Sequence, residues 1–169
     1  RKRRTLDWGI RYFLTAVALL IPLSIMAVVL SWPGLQANPF LGQLENLYGF
    51  VGLLGVVTLA IIGMLYKIIP FLVWFGVYSK HIGRAQVPAL ADMYSPRLQM
   101  IGYWSFLVAL IVISAGILRE SEIVVRIGAL GFFACIALLL ANFGKILVHT
   151  AHPRITPRVV VRPLKPILA

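Results

Sequence analysis

Among the side chains able to do chemistry, Lys67 is the most unusual in its setting. It is the one charge in the run Gly49–Tyr78, GFVGLLGVVTLAIIGMLYKIIPFLVWFGVY, and it stands three positions before Pro70. A cation within such a run is costly unless a partner side chain, a carbonyl freed by the proline or the headgroup layer satisfies it. Lys67 therefore either snorkels to the headgroups from the end of a span, or pairs with an acidic group of a cofactor, a lipid, a quinol site or a partner subunit. Tyr66 offers a hydroxyl, but on a different face. His149 and His152 have the spacing that holds a metal on one helical turn. Beside a basic tail, solvated interfacial histidines are the simpler reading. Asp92 shares a loop with Arg84 and Arg97, where an exposed ion pair contributes little. The single cysteine, Cys135, lies in an apolar run, which points to packing and rules out an internal disulfide.

No phosphate-cradling GxxxxGK[ST], no HExxH, no paired cysteines and no nucleophile elbow occur in the sequence. His81, His149 and His152 fall in loops or at the last turn of a helix, not in the middle of a span where a buried haem takes its axial imidazole. The expectation is a chain with no catalytic residues, no metal ligands and no cofactor of its own. Of 169 residues, 60% are hydrophobic and 12% charged, and the mean hydropathy is +0.93. A water-soluble domain of this size could not cover so much apolar side chain. The net charge of +11 comes from sixteen Lys and Arg that gather at the ends of apolar runs. That placement suits anionic lipid headgroups and membrane orientation, not nucleic acid.

These residues must be positioned by four apolar helices, giving an all-α polytopic membrane protein with four transmembrane helices packed as a bundle. A basic flank occupies 1–11, the transmembrane domain 12–149 with spans at about 12–32, 46–70, 98–118 and 123–144, and an extended Pro/Arg-rich tail 150–169. The opening RKRR flank and the long apolar run behind it read as a retained helix, not a cleaved signal. A first residue other than Met fits a processed chain or the later part of a longer one. Pro22 predicts a kink in the first span. Past Pro70 the segment FLVWFGVY either continues the helix or lies along the interface as an aromatic foot. Small residues mark helix contacts: Gly49, Gly52 and Gly63 on the second span, and Gly128, Gly131, Ala134 and Gly144 on the fourth, with Asn142 as an interhelical hydrogen-bonding group. All the Lys and Arg except Arg119 and Arg126 fall on one side of this arrangement, which predicts both termini in the cytoplasm.

The segment Gly63–Trp74, followed by Gly83-Arg84, Val87-Pro88 and Asp92-Met93-Tyr94, resembles the late part of bacterial membrane proteins related to haem-copper oxidase (cytochrome c oxidase) subunit I. The resemblance covers roughly residues 49–113. It implies a helix bundle in a respiratory-type complex, with Arg84 at the position facing a haem propionate; Lys67, from its own setting, is the second candidate for an acidic cofactor or lipid group. The family's ligating histidines have no counterpart here, so any haem would sit in a partner or an upstream segment. The function expected is a non-catalytic structural or accessory subunit, or C-terminal fragment, of an electron-transfer complex in the bacterial cytoplasmic membrane. Its partners would be the anionic bilayer and other membrane subunits. The alternatives are the C-terminal half of an oxidase-like enzyme with its ligands upstream, and a small-molecule or ion transporter with Lys67 and Pro70 lining a path.

Overall fold

The structure, a computed structural model, describes residues 6–34, 38–83 and 85–157. Helix α1 spans Trp8–Leu30, and a second rod follows as α2 (Pro39–Phe50), a π-helical segment (Val51–Val57) and α3 (Thr58–Tyr78). A 3-10 turn, Ser79–His81, ends the rod. Helices α4 (Pro96–Leu118) and α5 (Glu122–Ala151) complete the bundle. Four helices are thus long and apolar enough to cross a membrane. The described strands are β1 (Ala85–Gln86) and β2 (Thr156–Pro157), antiparallel, with Ala85 opposite Pro157 and Gln86 opposite Thr156. That ladder ties the start of the tail to the loop between α3 and α4. Residues 158–169 of the expected extended tail lie outside the described residues.

The helices run further than the hydropathy pattern alone suggests. α1 begins at Trp8, inside what the sequence reading assigns to the basic flank, and its first turn closes with the Arg11 amide donating to the Asp7 carbonyl at 3.1 Å. The second rod begins at Pro39, not near residue 46, because Asn38 caps it: its side chain accepts from the Leu41 amide at 2.8 Å, and Pro39 needs no donor at the first helical position. Pro70 does not end that rod. It is buried inside α3, which continues to Tyr78, so the aromatic foot is helical. Pro22 likewise sits within an unbroken α1. At the other end of the bundle Glu120, with φ of 52°, takes the left-handed position of the α4–α5 turn, and the Ser121 amide reaches back to the Gly116 carbonyl at 3.0 Å.

Small residues set how closely the helices approach. A Cβ on Gly63 would lie 2.8 Å from the Gly9 carbonyl oxygen and 2.9 Å from the Phe13 nitrogen, so α1 and α3 touch backbone to backbone. Gly128 meets Ile113 and Ala109, and Gly131 meets Ala109, closing the α4–α5 hairpin. Gly52 of the π segment faces Leu23. Three residues expected at helix contacts are not at any within this chain: Gly49 and Gly144 have nothing within 4 Å of a would-be Cβ, and Ala134 is exposed. The core between the helices is aromatic, built on Tyr12, Tyr66 and Phe106 with Leu59, Ile62 and Cys135. A second core, Tyr78, Met93 and Ile146, lies where the ends of α3 and α5 meet the 82–95 loop.

Candidate functional site

The close crossing at Gly9 and Gly63 brings two charges together. α1 and α3 are antiparallel there, so Asp7, just before the contact on one helix, comes level with Lys67, one turn beyond it on the other. The Lys67 ammonium donates to the Asp7 carboxylate, with the two side chains 45% and 31% exposed. The acidic group facing Lys67 is thus on the same chain. Such a half-exposed pair contributes about 1 kcal/mol or less, but it marks a level along the bundle where charge is tolerated. Arg84, the other residue expected at an acidic cofactor, lies outside the described residues.

The same level is polar elsewhere. Asn142 is fully buried and holds the start of α4 from across the bundle: its Oδ1 accepts from the Ser95 amide at 2.9 Å, and its Nδ2 donates to the Ser95 carbonyl at 3.3 Å. This is the interhelical role expected of it. Within the bundle, Tyr12 donates to the Gln99 carbonyl at 3.3 Å, Thr15 pairs with the Tyr103 hydroxyl at 2.7 Å, and Ser105 donates to the Gly131 carbonyl at 3.2 Å. Inter-helix contacts therefore absorb these hydroxyls.

Beyond that level residues 92–95, the last turns of α5 and the segment after it enclose a cleft of about 630 Å³, lined among others by Asp92, Lys145, His149, His152 and Arg154. Its back wall rests on Tyr78, which is completely buried. The Tyr78 hydroxyl lies 2.8 Å from His149 Nδ1 and accepts from the Arg154 amide at 3.1 Å. The one hydroxyl thus serves both the Arg154 amide and His149 Nδ1. His149 and His152 are near each other, yet Nδ1 is engaged by tyrosine. Among the described residues no three His, Cys, Asp or Glu side chains gather as a metal would need. Asp92 is occupied with the Ala89 amide at 3.1 Å. The remaining charges, Lys145 and Arg154, give the cleft a cationic character suited to an anionic group.

A smaller pocket, about 410 Å³, opens between the starts of α1 and α4 and is lined by Asp7, Trp8, Arg11, Tyr94, Pro96 and Gln99. Arg11 stacks over the Trp8 ring at 4.3 Å. Gln99 is 1% exposed, and neither atom of its side-chain amide has a hydrogen-bond partner. Tyr94 is pushed above its ordinary ionisation range, first by burial and then by the negative charge of Asp7.

Sequence reasoning brought forward Lys67, His149, His152 and Asp92, but not Tyr78, Arg154, Trp8, Arg11 or Gln99. The one sequence signal for Gln99 is a lone amide just inside an otherwise apolar run. Tyr78 carried none, since an aromatic residue at the end of a span is read as an interfacial anchor. No protein-family model, no curated protein and no solved structure matches this chain.

Proposed function

We propose that the chain is a non-catalytic accessory subunit, or the C-terminal part of one, within a larger electron-transfer assembly of a bacterial cytoplasmic membrane, with both termini on the cytoplasmic side. The supporting observation is the reach of the second rod. Its 43 residues extend about 65 Å at about 1.5 Å per residue. A bilayer with its headgroups is about 40–45 Å thick, and a tilt of about 40° would still leave the rod about 50 Å tall. The rod is thus longer than the bilayer is thick, and in this reading the excess lies at the end of α3, past Lys67. Its outer face is apolar, with Phe71, Leu72 and Phe75 exposed by 53%, 60% and 58% and the two phenylalanines stacked at 6.0 Å. Aromatic surface outside lipid calls for cover, and an apolar element of a second subunit provides it. The electron-transfer setting of that subunit is proposed from the sequence resemblance of Gly63–Trp74 and the following loop to haem-copper oxidase subunit I alone.

Copurification from native membranes tests the reading. The double variant Phe71→Glu/Phe75→Glu is expected to lose partner subunits, and any haem absorbance they bring, while the chain's own melting stays within about 0.5 kcal/mol, as for other surface changes. Recovery of the same partners with the variant and the wild type would refute the docking role.

A further inference from the structure

We propose that the pocket between the starts of α1 and α4 is a binding site for one anionic phospholipid whose headgroup carries both a phosphodiester and a free hydroxyl, as a glycerol headgroup does. The inference goes beyond the subunit role and stands without it. Three observations converge on this ligand. First, the pocket lies at the level of the Asp7–Lys67 pair, where the bundle passes from apolar to charged surface. In this proposal the bilayer phosphates lie at that depth. Second, Arg11 is half-buried and held over Trp8, and no ion pair to it occurs among the described residues. An oriented guanidinium without a carboxylate suits a phosphodiester, which accepts two of its N–H groups.

Third, Gln99 carries a buried amide with both its donor and its acceptor unused. Leaving such a group unpaired is unfavourable, and native proteins rarely do so without a reason in ligand binding, strain or an ordered water. A hydroxyl is the one common headgroup function that can both donate to Oε1 and accept from Nε2. Gln99 lines the pocket, and binding requires its buried amide to turn towards the headgroup. Choline headgroups offer no donor. The phosphate would take Arg11, the hydroxyl Gln99, and the ring of Tyr94 would form the side wall.

The test is native mass spectrometry of the full chain, released from nanodiscs containing equal amounts of phosphatidylglycerol and phosphatidylcholine. One phosphatidylglycerol should remain bound, enriched about tenfold over phosphatidylcholine. Arg11→Gln should lower retention of phosphatidylglycerol about tenfold, the loss expected for one charge-assisted contact. Gln99→Leu keeps the volume and removes the amide. In nanodiscs that hold both lipids it should reduce the preference for phosphatidylglycerol over phosphatidylethanol, a phosphodiester of the same charge without the headgroup hydroxyl, and leave phosphate-dependent retention in place. Equal retention of phosphatidylglycerol and phosphatidylcholine by the wild type would overturn the site. So would an unchanged preference in a folded Gln99→Leu chain, which would make the amide a structural orphan. Glycerol 1-phosphate in solution should not compete; if it displaced the lipid, the site would belong to a free phosphate ester.

Discussion

Tyr78 serves two partners with one hydroxyl. It accepts from the Arg154 amide and orients His149, and so fastens the chain that leaves α5 to the end of α3. Tyr78→Phe keeps the ring packing against Met93 and Ile146 and removes both bonds, leaving a backbone donor and an imidazole nitrogen without partners. The expected cost is about 1–3 kcal/mol, read as a lower thermal midpoint in detergent, with faster proteolysis after Ala151 as the segment loosens. Tyr94 makes a second residue-scale expectation. Its ionisation is raised in the folded chain, so the folded state holds that proton more tightly than the unfolded one. The corresponding stability is complete below the ordinary tyrosine value of 10.0 and is lost as pH climbs through the raised value. Tyr94→Phe should flatten that alkaline decline in a pH series of melts. Lys67 shows what a sequence can reveal at this scale. A charge within an apolar run is conspicuous in the string, whereas its partner Asp7, 60 positions away, becomes visible only once two helices cross.

The crossing itself belongs to the element scale. Gly63 touches the backbone of α1 through Gly9 and Phe13, so a methyl group there has no flexible neighbour to displace and must move a helix. Gly63→Ala is expected to destabilise the bundle by about 1–3 kcal/mol and to pull Asp7 away from Lys67. Gly144→Ala, with nothing within 4 Å, should be neutral and serves as the control. Denaturation monitored by tryptophan fluorescence would compare them; equal behaviour of the two variants would contradict the close crossing. The helical period placed Gly63, Gly128 and Gly131 at contacts, yet it gave Gly49, Gly144 and Ala134 the same standing. In a soluble helix the polar face would have separated the two groups. In lipid the outer face is as apolar as the inner one, so periodicity finds small residues without saying which way they point. Gly9 was hidden for the opposite reason, because the basic residues around it made its segment look like a flank when it is already helix. The length of the rods was also only partly legible: Asn38 and Pro39 spell a helix start that hydropathy does not register.

At the scale of the whole molecule, charge and topology make one joint statement. The four long apolar helices place the start of α1, the loop before α4 and the end of α5 together at one end of the bundle. The contacts of Asp7 with Lys67 and of Asn142 with Ser95 agree with that arrangement. Among the described residues Arg11, Lys67, Lys80, Arg97, Lys145 and Arg154 lie towards this end, while the opposite end holds Arg119 and Arg126 with Glu120 and Glu122 beside them. Positive charge resists translocation, so the proposed orientation leaves the basic end in the cytoplasm. Single cysteines can read this directly, because Cys135 is 3% exposed and contributes little background. Lys80→Cys at the basic end and Glu122→Cys at the other replace exposed residues. An impermeant maleimide added to intact bacterial spheroplasts should label Glu122→Cys at once, and Lys80→Cys only after permeabilisation. The reverse pattern would invert the bundle. Labelling of both from outside would mean that α4, the one span between the two positions, does not cross the membrane.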